Sequence, residues 1–236
     1  MHNVTDLYNL SQKPLMGKIS LELLMDYYEE YLRPFKVCYQ LSDGNSIDLI
    51  FDRKRFAHLV GIETIAKTKY KGNRMLEGYR GEKAYKSIKK GQIDFAHLRN
   101  IGSRSVFNSM KNKWLFFYQL PHIILSPEAI FRYKKVSGSN IQCEILIYDL
   151  MHGVCAHLGI EKDSSGKFYI PRTFFIEKNN GLKFVQDQDD EITVNVIDKI
   201  DRSNNALVLT IDLKAIRTAA AQTEEGEALK TEEDEV

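Results

Sequence analysis

Apolar residues recur at helical spacing through the first half of the chain and at strand spacing through much of the second. Ser20 heads a run in which Leu21, Leu23, Leu24, Tyr27, Tyr28 and Leu32 share a helical face, and Pro34 stops it. Phe35 to Leu41 and Ser46 to Phe51 are β-rich and joined by Ser42-Asp43-Gly44-Asn45, which predicts a hairpin. Asp52 is placed to cap a helix running from Arg53 to Gly61, a residue that tolerates the left-handed conformation expected past a helix end. Within it Phe56, Leu59 and Val60 cluster, whereas His58 points about 150° away, beside Arg55. A short basic helix is expected over Glu82 to Lys90, closed by Gly91, and Asp94 is placed to cap another carrying Phe95, His97 and Leu98. Val106, Met110, Trp114 and Phe117 predict a helix from Ser103 to about Leu120, with Pro121 and Pro127 as breaks beyond its end.

The period then changes. Ile141 to Tyr148, Val154 to Ile160, Lys167 to Glu177, Leu182 to Gln186, Glu191 to Ile197 and Ala206 to Ile211 read as short strands. Asp163-Ser164-Ser165-Gly166, Asn179-Asn180-Gly181, Gln188-Asp189-Asp190 and Ser203-Asn204-Asn205 supply turns between them. The expectation is an α+β domain: N-terminal helices and a hairpin, followed by an antiparallel β-meander with the helices on one side or end of the sheet. Residues 1–19 read as an N-terminal extension, 20–212 as the domain and 213–236 as an acidic tail expected to be disordered.

Composition narrows the class. A chain of 236 residues, 43% of them apolar, can bury one sizeable core. Cys38, Cys143 and Cys155 are scattered and odd in number, which fits a reducing compartment better than a disulfide framework. The polar stretch Met1 to Gln12 has no signal-like apolar core and no long apolar run comes after it, so the expected location is the cytoplasm, with no membrane partner. The net charge of +1 conceals segregation: Arg53 to Lys113 holds sixteen Lys/Arg against four Asp/Glu, and Glu224 to Glu235 holds seven acids and one lysine. Lys67, Lys69, Lys71, Arg74, Arg80, Lys83 and Lys86, interleaved with Tyr70, Tyr79 and Tyr85, have the pattern of a surface that pairs with phosphates and stacks on bases. A solvated helical surface would have the same composition. The acidic end is able to shield that surface when no ligand is bound.

The chemistry available is limited. There is no glycine-rich phosphate loop, Cys-x-x-Cys pair, His-x-x-x-His pair, nucleophile elbow or metal-nuclease carboxylate spacing, so no cofactor or metal is expected. Ala-His-Leu occurs three times, at His58, His97 and His157. An imidazole titrates at roughly pH 6.5 and both takes and gives protons near neutrality. Histidine with arginine and a hydroxyl suffices for metal-independent RNA cleavage, in which a base deprotonates the ribose 2'-hydroxyl, that oxygen attacks phosphorus, and an acid protonates the leaving 5'-oxygen. His58 and His157 are the candidates for proton transfer, Arg172 for the phosphate, and Thr173 or Tyr169 for a hydrogen-bond donor. His97 falls at the border of an apolar face and reads as structural.

Phe51-Asp52-Arg53-Lys54-Arg55-Phe56-Ala57-His58-Leu59-Val60-Gly61-Ile62, then Tyr79-Arg80-Gly81-Glu82-Lys83-Ala84-Tyr85, His157-Leu158-Gly159-Ile160 and Tyr169-Ile170-Pro171-Arg172-Thr173-Phe174-Phe175 resemble the fourth family of phage-type Barnase-EndoU-colicin-RelE-like nucleases over roughly Leu21 to Ile200. The resemblance implies a small RNase fold used as a toxin or effector in phage and bacterial conflict. It implies site roles for His58, Arg172 and Thr173, with His157 less firmly carried over, and Arg55 beside His58 joins the basic residues expected to hold RNA. The implied partners are RNA and a neutralising antitoxin or immunity protein, in a bacterial or phage-infected cell. A non-catalytic nucleic-acid binder and a structural component in the same conflict are the rival readings.

Overall fold

The computed structural model describes residues 1–178 and 182–219; the expected Asn179-Asn180-Gly181 turn and the tail from residue 220 on lie outside the described residues, while residues 213–219, the first part of the tail expected to be disordered, form a helical turn after the last strand. A short helix α1 (Val4–Tyr8) precedes α2 (Leu21–Tyr31), whose first turn is held by Ser20 Oγ accepting the Leu23 N–H at 3.0 Å. The stretch before Ser20 is part of the packed body: Leu7 and Ile19 enter the core, and Tyr8 stacks on Tyr31 at 4.2 Å. The hairpin comes next as β1 (Phe35–Leu41) and β2 (Ser46–Ile50). It leads into α3 (Arg53–Leu59), α4 (Ile62–Lys69), α5 (Asn73–Leu76), α6 (Gly81–Lys89), α7 (Phe95–Ile101), α8 (Arg104–Leu115) and α9 (Leu120–Ile123). The remaining strands are β3 (Ala129–Arg132), β4 (Ile145–Met151), β5 (Val154–Lys162), β6 (Tyr169–Lys178), β7 (Val194–Asp201) and β8 (Leu207–Asp212).

These eight strands form one sheet in the order β3-β4-β5-β6-β2-β1-β7-β8. The mixed α+β class holds, but the expected continuous meander does not. Strands β3 to β6 are a meander; β6 then meets β2 in a parallel contact at Leu49 and Tyr169, and β7 pairs with β1 on the other side of the hairpin. The early hairpin is thus built into the middle of the sheet. Leu182 to Gln186 is a turn rather than a strand, because its apolar residues cover the sheet instead of pairing with it: Val185 packs on Phe131, Tyr148 and Cys155. The four-residue β3 and the helices α4 and α5 have no counterpart in the sequence reading, and the helix expected to reach Leu120 ends at Leu115. Asp52 occupies the cap position of α3 without capping it; its carboxylate turns to Arg202 at 3.5 Å.

The helices cover one face of the sheet. Ile145, Ile147, Ala156, Leu158, Ile160 and Phe174 alternate into the same core as Phe56, Leu59, Ile65 and Phe117, while Tyr148 and Cys155 turn to a smaller cluster on the opposite face. Buried polar tips fix the helices: Trp114 Nε1 donates to the Val60 carbonyl at 2.8 Å, and Tyr27 Oη donates to the Tyr118 carbonyl at 2.7 Å.

Candidate active site

Helix α3 buries Phe56, Ala57 and Leu59 and leaves His58 exposed. It ends at Gly61, whose φ of 75° is open to glycine at little cost. A Cβ there would lie 2.5 Å from Met110 Sδ, so α8 crosses against a bare backbone. That close crossing, pinned by the Trp114 bond to Val60, carries Lys113 of α8 into the electrostatic field of His58.

Strand β6 supplies the next group. Gly159 pairs with Thr173 and Ile160 with Pro171, so Arg172 is the extra residue of a β-bulge. Proline has no N–H to give the ladder at that point, which makes the irregularity cheap. His58 lies within hydrogen-bonding reach of the Arg172 backbone. The Arg172 guanidinium meets Glu161 (Nε to Oε2, 3.4 Å), and Arg55 approaches the same carboxylate at 3.8 Å. Arg55 Nε is buried and has no acceptor. One carboxylate thus holds two guanidinium groups beside an imidazole.

The electrostatics suit proton transfer. His58 is pushed below the ordinary imidazole value, first by partial desolvation and then by the positive charges of Lys113 and Arg172, against an opposing pull from Glu63. It is therefore neutral and basic near pH 7. Burial pushes Lys113 down to about 8, so this ammonium gives up its proton far more readily than a solvated lysine. Lys113 and Glu161 escaped the sequence reading. The signal for Lys113 was a lysine flanked by Met110 and Trp114 in an apolar helical run.

The other sequence candidates are placed elsewhere. Thr173 shares its face with Gly159, away from the helices, and its Cγ2 would stand 2.8 Å from a Cβ at Gly159. His157 is 0% exposed on this far face. It stacks on Phe175 at 4.5 Å and bonds Glu177 through Nε2 at 2.8 Å, so it does not join His58. Tyr169 lines a polar groove at the β2–β6 junction with Arg132, Lys162 and Lys167. His97 hydrogen-bonds Tyr79 Oη at 3.0 Å.

The basic surface is partly neutralised. Lys67 and Arg80 both contact Glu63 at 2.7 Å, Lys83 pairs with Glu77, and Lys71 donates to the Lys67 carbonyl. Lys69, Arg74 and Lys86 are exposed with no carboxylate partner among the described residues. A second basic groove, not singled out from sequence, is lined by Arg99, Arg104, Asn108 and Lys111 around Phe107.

A family model described as phage-Barnase-EndoU-ColicinE5/D-RelE like nuclease 4 matches residues 24–214. The chain belongs to this nuclease family. The matched span runs from α2 through β8 and contains His58, Lys113, Glu161 and Arg172. No curated protein and no solved structure matches the chain significantly. Family membership makes nucleic acid the substrate class, and no helix among the described residues is long and apolar enough to cross a membrane.

Burial of His157 has a consequence for stability. Desolvation pushes its pKa down to about 3, so at neutral pH its contact with Glu177 is a hydrogen bond of a neutral ring, not an ion pair. The unfolded chain takes up this proton near pH 6.5 and the folded chain only near 3, so stability is complete above about 6.5 and is lost as pH falls between the two. At pH 5 the loss from this residue is about 2 kcal/mol. Glu177, raised by the same burial, works in the opposite sense at lower pH. Urea unfolding in EDTA should show that His157→Gln removes this part of the difference between pH 7 and pH 5. An unchanged pH dependence in the variant would refute the assignment.

Proposed function

We propose that this nuclease is a metal-independent endoribonuclease that cleaves RNA by attack of the 2'-hydroxyl, leaving a 2',3'-cyclic phosphate. The observation that carries the reading is that His58, beside the Arg172 backbone, feels the charges of Lys113 and Arg172 where α3 and α8 pack on β6. His58, neutral at working pH, takes the 2'-hydroxyl proton. Lys113 supplies a proton to the departing 5'-oxygen, a role that passes from His157 because that ring is sealed on the other face. Arg172 and Arg55 hold the phosphate and the charge that builds on its oxygens. Glu161 occupies the guanidinium groups until substrate arrives, as a carboxylate standing where an anionic phosphate would bind. Thr173 has no part in this arrangement.

On this reading the RNA backbone runs over the cationic surface of α4 to α6, with Lys69, Arg74 and Lys86 as its unpaired contacts and Lys67, Lys71, Arg80 and Lys83 around them. Tyr169 borders the groove on the strand side. An RNase of this kind acts as an effector in the bacterial cytoplasm during conflict with phage, and a cell that makes it needs a neutralising partner. Incubation with RNA tests the activity: cut products are expected, and none from an oligonucleotide lacking 2'-hydroxyls. A gel shift without cleavage of any RNA would instead identify a non-catalytic binder. Affinity for RNA should fall with salt by about one log-log unit for each phosphate contact, less a fraction for single strands. A flat dependence between about 50 and 200 mM would remove this surface from the interface.

A further inference from the structure

On the face of the sheet turned away from the helices, Cys155 pairs with Glu177 across β5 and β6, and His157 lies two residues along the same strand. Alternation along a strand therefore gives the three side chains one face. A sulfur, an imidazole nitrogen and a carboxylate oxygen from these residues all lie within 4.8 Å of one another, the one such group among the described residues. Cys155 and His157 are fully buried, and the Glu177 side chain is 13% exposed. Solvent thus reaches the group from the carboxylate side.

We propose that Cys155, His157 and Glu177 form a binding site for a divalent transition-metal ion, and that zinc is the ion their donor set selects. Thiolate, imidazole and carboxylate together suit zinc and exclude the hard, all-oxygen cations. The thiolate and carboxylate cancel the two positive charges, so the ion can sit under aromatic cover with no net buried charge. Binding displaces the thiol proton to solvent and forms the metal–sulfur bond. Zinc bond lengths place tetrahedral donors about 3.3–3.6 Å apart. His157 Nε2 and Glu177 Oε2, now 2.8 Å apart, need to open by only about half an ångström. The fourth position faces the solvent side of Glu177 and takes a water.

The surroundings hold the donors in place. Phe175 stacks on the imidazole and Phe184 meets it edge-on at 5.9 Å, fixing the ring plane. The Phe184 backbone lies within hydrogen-bonding reach of the Glu177 carboxylate. An ion here clasps β5 to β6 and the covering turn that carries Phe184. It lies on the opposite face from His58, and the proposed cleavage does not pass through it. Cys155-x-His157 with a glutamate 20 residues on matches no linear metal motif, and only strand pairing assembles it.

The test uses the full chain, stripped with a chelator, dialysed, and titrated with cobalt(II) and then zinc(II). One cobalt per chain with a thiolate-to-cobalt charge-transfer band is expected, bleached by zinc, and zinc should raise Tm. Cys155→Ser should lose the band, and Glu177→Gln should bind zinc at least about tenfold more weakly. Circular dichroism checks that both variants are folded, and either one that folds suffices. Metal removal should leave RNA cleavage unchanged below the unfolding transition, so this proposal and the nuclease reading fail separately. Absence of the band at saturating cobalt, or unaltered zinc affinity in a folded variant, overturns the site.

Discussion

Replacing His58 by alanine should lower RNA cleavage by about a hundred- to ten-thousand-fold, the range that general acid–base catalysis contributes. The same change should move stability by no more than about 0.5 kcal/mol, because an exposed ring on the polar side of α3 buries little. The split between activity and stability is what separates a base from a packing residue. In the wild-type enzyme cleavage should fall as pH drops through the lowered pKa of His58, where the ring protonates and loses its basicity. Cleavage rates with urea melts of the variant check the first claim, and near-normal cleavage by His58→Ala would remove the residue from the mechanism.

The second large effect concerns the bulge in β6. Arg172→Lys should lose about a hundred- to a thousand-fold in rate, since lysine keeps the charge but not the planar fork that matches two phosphate oxygens. Thr173→Val should cleave within a few-fold of wild type, because valine keeps a methyl against Gly159 and the lost hydroxyl faces away from His58. Single-turnover rates on one RNA for the two variants are the comparison to make. A fully active Arg172→Lys with an inactive Thr173→Val would mean that the hydroxyl side of the strand is the working side.

Local features of the fold were legible because they depend on neighbours in sequence. Ser20 caps α2, Asp94 Oδ1 accepts the His97 N–H, and the Ser42 to Asn45 turn closes the hairpin as its composition predicts. The order of strands was not, because Phe35 pairs with Asp201 and Leu49 with Tyr169, and no local pattern encodes contacts so far apart. Asp52 shows the limit even of a local rule, as a distant arginine took the carboxylate the helix start was expected to use.

The site divides the same way. The exposure of His58 follows from the helical period around it. The Ala-His-Leu repeat misled. It falls in a helix at His58, at a capped helix start at His97 and in a fully covered strand at His157, and the same tripeptide aims its ring differently in each. Lys113 was hidden because its place beside His58 depends on α8 crossing at Gly61, a contact between segments that the sequence does not align.

The His58 imidazole, the Lys113 ammonium and the Arg172 guanidinium, carried by α3, α8 and β6, are proposed to perform the cleavage together, with the 2'-hydroxyl as nucleophile. End-group analysis of RNA cut by the purified chain in excess EDTA tests this most directly. The expected products carry 2',3'-cyclic phosphate ends, formed at an undiminished rate in chelator and far more slowly with His58→Ala. Cleavage that stops in EDTA, or that yields 5'-phosphate ends, would contradict it.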